Sequence, residues 1–208
     1  MRVIAIDGPA GSGKSTVARR VAERLELPYL DTGAMYRAVA FAALRRGIDP
    51  GDAETVGRLA QQVEIDVADI VTVDGVDATI EIRGPEVTRA VSAVAANAEV
   101  RRELVSRQRE WAIKHDGGVV EGRDIGSVVF PAAEVKFFLT ASDAERAQRR
   151  SREALDLDYD TVAADIAQRD HVDSTREASP LTRAEDAVVI DTTGRAVDDI
   201  VAEVLSRL

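Results

Sequence analysis

The sequence predicts an α/β fold: a five-stranded parallel sheet with helices on both faces and one small insert. Five short apolar runs, at 2–7, 28–31, 117–122, 134–141 and 186–191, alternate with helical segments, as strands buried on both faces do. The first run leads directly into the glycine-rich stretch GPAGSGKST at 8–16, and that stretch opens into a helical period. One region, 63–83, instead alternates apolar and polar residues around Asp74-Gly75, the pattern of a small antiparallel hairpin.

Taken in order, RVIAID (2–7) is a β-branched strand, and Val17, Val21 and Leu25 recur every four residues after it, as one face of a helix requires. PYLD (28–31) is a second short strand, with Thr32 expected to cap an Ala-rich helix that ends near Gly47. After the insert, two helices are expected at 86–96 and 98–115, the second capped by Asn97. Val100, Leu104 and Trp111 share a face of that helix, which places Trp111 in the core. The strands at 117–122, 134–141 and 186–191 follow, and Ser142 with Glu145 forms a capping box for the helix after the second of them. The expected organisation is a single domain, with 1–62 and 84–208 as its core and 63–83 as the insert.

Composition narrows the function. The 208 residues are 45% hydrophobic and carry a net charge of −10, from 37 acidic against 27 basic residues. A protein that wraps nucleic acid usually has the opposite sign, so a nucleic-acid polymer is not an expected partner. With no cysteine, disulfides, thiolate nucleophiles and Cys-based zinc sites are all removed. The first apolar run, Val3–Ile6, stops at Asp7, and no run approaches the ~18 residues that span a bilayer. A cytoplasmic protein without a membrane partner is expected. His115 and His171 are the only histidines and lack ligand spacing, so a metal site built from side chains alone is not expected.

The stretch at 8–16 fits the pattern of a glycine, four residues, then Gly-Lys-Ser. Backbone N–H groups of such a loop point inward and cradle phosphates, and the following helix adds its positive end. Gly8, Pro9, Ala10, Gly11, Ser12, Gly13, Lys14, Ser15 and Thr16 are therefore the expected ATP-binding residues. Lys14 reaches the outer phosphates and Ser15 ligates Mg²⁺. A GTPase would read guanine with an Asn-Lys-x-Asp segment, but Asn97 is the only asparagine and Ala98 follows it.

A phosphate acceptor requires a second anion site. Thr32 at a helix start, with Arg37 just inside that helix, suits one, and Arg123 at a strand end lies where ligands bind open α/β sheets. RAQRR (146–150) puts Arg146, Arg149 and Arg150 on adjacent helical turns. That is either a solvated face or a cluster over the transferring phosphoryl group. Arg169, Asp173 and Arg176 share one helix face, which alone would read as a surface ion-pair ladder.

LDTGAMYR (30–37), EGRDIGSVVFP (121–131), RAQRR and RDHVDSTREASPL (169–181), in that order after the glycine loop, resemble the bacterial cytidylate kinase family of nucleoside monophosphate kinases. The resemblance runs from Arg2 to the C-terminus. It implies transfer of a phosphoryl group from ATP, with Mg²⁺, to CMP or dCMP. Thr32, Arg37 and Arg123 match positions that hold the acceptor phosphate, and Tyr36 falls in the same acceptor-binding motif. Ser92, Arg101 and Asp124 match the cytosine-contacting positions. Arg169 and Asp173 match the ribose contacts, and Arg176 matches a further arginine near the phosphates.

The family also implies a lid at 146–165, tipped by 152–160, from which Arg149 and Arg150 join Lys14 and Arg123 as the catalytic cations. Ser92 and Arg101 stand nine residues apart, about two and a half turns, so a break at Asn97 is needed for both to converge. Two departures stand out: the insert is shorter than in the longer members, and Glu121 stands where some relatives carry Asp. The rival readings are a kinase for another small acceptor and a nucleotide-gated binding protein. A monomer is expected.

Overall fold

The structure is a computed structural model that describes residues 1–153, 159–176 and 179–208. Most of the expected lid tip, 154–158, lies outside the described residues. The chain opens with β1 (Arg2–Asp7), α1 (Lys14–Leu25) and β2 (Tyr29–Asp31). It continues through α2 (Thr32–Arg45), α3 (Ala53–Gln62), β3 (Ile65–Val67), β4 (Val71–Val73), β5 (Val76–Asp77), α4 (Pro85–Ala96) and α5 (Ala98–Lys114). It closes with β6 (Gly117–Gly122), β7 (Val135–Thr140), α6 (Asp143–Glu153), α7 (Tyr159–Thr175), β8 (Val188–Asp191) and α8 (Val197–Leu205). Two compact units form: 1–29 with 115–208, and 30–114.

The five expected strands make one sheet in the order β2-β6-β1-β7-β8. β1 runs parallel to β6, with Arg2 opposite Gly117 and Asp7 opposite Gly122, and parallel to β7, with Asp7 opposite Phe138. β8 continues the parallel pairing, from Phe137↔Val188 to Thr140↔Asp191. This register makes the segments after β1, β6, β7 and β8 leave the sheet at one edge, the carboxyl end where α/β sheets bind ligands. Ile4, Ile6, Phe137, Leu139 and Ile190 pack against Val17 and Val21 of α1 and Ile200 and Val204 of α8. Val3, Ala5 and Val120, which point the other way, are equally buried, so both faces of the sheet are covered.

In the second unit, 65–77 folds as an antiparallel sheet, β3-β4-β5. Its β4–β5 turn is Asp74-Gly75, both left-handed with φ of 51° and 74°, the combination a two-residue hairpin turn demands. The alternation over 78–83 does not continue as strand. Glu81–Arg83 is a 3₁₀ turn that buries Ile82, so a short turn explains the same pattern. The predicted break is present: α4 ends at Ala96, and Asn97 Oδ1 accepts from Glu99 N and Val100 N at 3.0 and 3.4 Å.

Three local expectations are corrected. The cap of α2 is Asp31, whose side chain accepts from Ala34 N, and Thr32 is the first helical residue. Trp111 is half-buried, because the inward face of α5 is centred on Val100, Arg101, Leu104, Gln108 and Ala112. The capping box of α6 forms by half: Ser142 Oγ accepts from Glu145 N, while Thr193 Oγ1 accepts from Ser142 N and the Glu145 carboxylate turns to Arg149. Among the described residues no helix is long and apolar enough to cross a membrane.

Candidate nucleotide site

The glycine loop lies between the carboxyl end of β1 and the first turn of α1. Lys14 Nζ folds back to donate to Pro9 O at 3.2 Å, while Ser15 and Thr16 are exposed on the first turn. Gly11 is left-handed (φ 73°), and a Cβ there would stand 2.7 Å from Arg146 O, so backbone of α6 approaches closer than any side chain permits.

Arginines surround this loop from several elements of the same unit. Arg123, just after β6, donates from Nη1 to Gly8 O at 2.9 Å, and its Nη2 lies 3.1 Å from Asp173 Oδ2. Arg146 of α6 is buried and donates to Ala10 O at 3.1 Å and to the Asp143 and Asp170 carboxylates. Burial works against its charge, but the two carboxylates outweigh it and raise its pKa. Asp170 Oδ1 also accepts from Ala10 N at 3.3 Å. Arg149 donates to Glu145, and its two terminal nitrogens reach Thr192 Oγ1 at 2.9 Å and Thr192 O at 2.6 Å. The RAQRR segment is therefore not a solvated face at Arg146 and Arg149; both are fixed against the ligand edge of the sheet. Arg150 is half-buried on the same helix.

The turn that carries Arg123 and Asp124 is held from beneath. Asp7, at the end of β1, accepts from Ile125 N and Gly126 N, each at 2.8 Å. Burial pushes its carboxyl up to about 6, while the two amides and the Lys14 ammonium oppose the shift. Asp124 is buried, with Arg176 Nη2 3.8 Å away. Arg176 also donates to Ser179 O at 2.7 Å and lies 3.4 Å from Asp173 Oδ1. Burial and the neighbouring Arg123 pull Arg169 down to about 10. Glu121, wholly inside, accepts from Tyr29 Oη at 2.7 Å.

The second unit assembles its own group. Arg37, one turn inside α2, donates to Ile82 O at 3.2 Å and Thr88 Oγ1 at 3.0 Å. Arg101 is buried at the start of α5, with its guanidinium 5.5 Å from the centre of the Tyr36 ring and Nη1 3.4 Å from Ala95 O. Thr32 is buried, and Ser92 is half-buried on α4.

Within the first unit the loop, Arg123, Asp124, Arg149, Asp173 and Arg176 thus form one connected set, and within the second Tyr36 meets Arg101. Sequence reasoning missed Asp7, Asp170 and Thr192. For Asp7 a signal existed, a carboxylate ending an otherwise apolar strand. Asp170 lay within the RDHVDSTREASPL motif, and Thr192 gave no signal.

A strand, glycine loop and helix at the carboxyl end of a parallel sheet, with fixed arginines around the loop, define a phosphate-loop nucleotide-binding protein. The cytidylate kinase family model matches residues 4–208, and the chain belongs to that family. It is 50% identical to a cytidylate kinase of Desulforamulus reducens over 213 residues, covering 99% of this chain and 96% of the relative. A cytidylate kinase of Mycolicibacterium paratuberculosis is 54% identical over 199 residues, covering 91% and 87%. The fold is also shared with a crystal structure of an uncharacterized protein from Eubacterium ventriosum, at a TM-score of 0.57 and 13% identity, covering 100% of this chain and 98% of that one.

Proposed function

We propose that the protein transfers the γ-phosphoryl group of ATP to CMP and dCMP, giving ADP and CDP or dCDP. An oxygen of the CMP phosphate attacks the γ-phosphorus, a new P–O bond forms, and the bond to the β-phosphate oxygen breaks as ADP leaves. A phosphate oxygen is already ionised, so no general base is needed. What the reaction needs is alignment, charge neutralisation and exclusion of water. The observation that carries the reading is the glycine loop with Arg123 hydrogen-bonded to its first carbonyl, in a chain of the cytidylate kinase family.

In this reading residues 8–16 hold ATP, and Lys14 follows the transferring group. Thr32, Arg37 and Arg123 clamp the acceptor phosphate beside Tyr36. Arg169 and Asp173 hold the ribose, with Arg176 next to them. Ser92, Arg101 and Asp124 read the cytosine edge, and Arg149 and Arg150 neutralise charge on the transferring phosphoryl group. Mg²⁺ favours oxygen ligands and is commonly bound through substrate phosphates. The exposed Ser15 hydroxyl on the first turn of α1 is a donor of that kind, and the ion would supply charge neutralisation on the β- and γ-phosphates. The insert at 63–83 belongs to the acceptor side and 146–165 to the lid, in a monomer acting in the cytoplasm.

The test is ADP release with CMP, dCMP, UMP, AMP, GMP and shikimate offered singly. Fast release with CMP and dCMP alone is the expected outcome. ADP formation that no acceptor stimulates would leave a nucleotide-gated binding protein in its place.

A further inference from the structure

Thr192 follows directly after β8, outside every motif that marks the site in the sequence. It is completely buried. Its hydroxyl oxygen lies 3.0 Å from Ser12 O in the glycine loop, 3.0 Å from Thr140 O at the end of β7, and 2.9 Å from Arg149 Nη1. Its own carbonyl accepts from Arg149 Nη2 at 2.6 Å. A hydroxyl carries one proton. Ser12 O and Thr140 O are equidistant acceptors for that proton, Thr140 O also receiving the Thr192 N–H at 2.8 Å, while a lone pair of the hydroxyl accepts from Arg149. One side chain therefore joins the loop to the guanidinium, and the Thr192 carbonyl completes a two-point grip on the planar fork. The grip sets Arg149 beside the loop: a Cβ on Gly13 would be 3.4 Å from Arg149 Nη1.

We propose that Thr192 is a positioning residue for phosphoryl transfer, fixing the Arg149 guanidinium in register with the glycine loop through the Ser12 carbonyl. The proposal rests on Arg149 acting on the phosphates. A guanidinium that works by preorganisation loses its effect when its orientation is released, even though its charge remains. The Thr192 hydroxyl thus acts on the chemical step, through Arg149, and not on binding of CMP.

The experiment compares Arg149→Ala, Arg149→Lys, Thr192→Val, Thr192→Ser and the Thr192→Val/Arg149→Ala double variant, each checked for folding by its Tm. Arg149→Ala is expected to lower kcat by about tenfold or more, Thr192→Val by a comparable factor with KM for CMP unchanged, and Thr192→Ser to restore most of it. The double variant should be no slower than Arg149→Ala alone, because the hydroxyl has nothing left to position. Wild-type kcat in a folded Thr192→Val, or losses that multiply in the double variant, would overturn the proposal while leaving Arg149 in its role. Wild-type kcat in Arg149→Ala would remove Arg149 from the reaction, and the proposal with it. If Thr192→Val does not fold, Arg149→Lys decides: lysine keeps the charge but not the fork, so a slow enzyme supports the two-point grip and a fast one overturns it.

Discussion

The site arginines of the unit that carries the glycine loop and those of the unit that runs from Leu30 to Lys114 meet main-chain carbonyls of different origin. In the first, Arg123, Arg146, Arg149 and Arg176 each lie beside a carboxylate, and each also donates to a main-chain carbonyl: Gly8, Ala10, Thr192 and Ser179 respectively. Gly8 and Thr192 follow directly on parallel strands, and the aligned register brings their segments to one edge of the sheet. In the second unit, Arg37 and Arg101 donate to the carbonyls of Ile82 and Ala95, which end or join helical elements, and Arg101 lies over Tyr36. There, placement depends on where helices start and stop. On the roles proposed above, Lys14, Arg149 and Arg150 of the first unit act on the chemical step, whereas Arg37 and Arg101 of the second, like Asp124 of the first, act on acceptor binding.

The sharpest test of that division is Lys14→Ala. On the proposed role of Lys14 at the transferring group, removing its ammonium should lower kcat by about a hundredfold or more with the fold intact, read from initial rates and Tm. Near-normal turnover would take the glycine loop out of the reaction. Asp124→Asn comes next. Cytosine offers an exocyclic amino donor where uracil offers a carbonyl, and a buried carboxylate accepts from the first and repels the second. The CMP/UMP ratio of kcat/KM should therefore fall by about tenfold or more in the amide variant. An unchanged ratio would make Asp124 a support for the turn and not a reader of the base.

Arg37→Ala should raise KM for CMP by about tenfold and lower kcat less, with KM for ATP hardly changed, because a charge-assisted clamp both binds and aligns its anion. Equal weakening toward both substrates would erase the contrast between the units.

Asp7 gives a pH-dependent test in the first unit. Its carboxyl is raised from 3.8 to about 6, so protonation favours the folded state. That contribution to stability is fully present below about pH 4 and lost as pH rises through about 6. Carbon NMR of the Asp7 carboxyl should show a midpoint near 6, whereas a midpoint below 4 would mean that the Ile125 and Gly126 amides outweigh burial.

The smallest effect belongs to the helix break of the second unit. Asn97 caps α5 and donates to Ala53 O at 2.8 Å, so Asn97→Ala should cost about 1 kcal/mol and lower Tm by about 2–4 °C. KM for CMP should rise with it, since the cap orients the turn that carries Arg101.

What the sequence by itself determined was local in origin. The five strands showed because continuous apolar runs mark burial on both faces, and the loop because its glycines and lysine are contiguous. The β4–β5 turn showed because Asp-Gly tolerates positive φ, and the α4–α5 break because an asparagine sits where a helix can restart. Where two local signals competed, tertiary structure chose between them. Asp31 and Thr32 both suit a cap, and the end of β2 gave the role to Asp31. Trp111 had the right spacing for the core, but the packed face of α5 turned slightly away from it. Helical spacing could give Glu145 to Arg149 and Asp173 to Arg176, but the distant partners of the site arginines were beyond reach of any local pattern. Arg123 meets Gly8 across 115 positions, and Thr192 meets Ser12 across 180. Periodicity and dihedral preference extend over a few residues, whereas the choice of each distant carbonyl or carboxylate follows from strand order and register, which only the folded chain possesses.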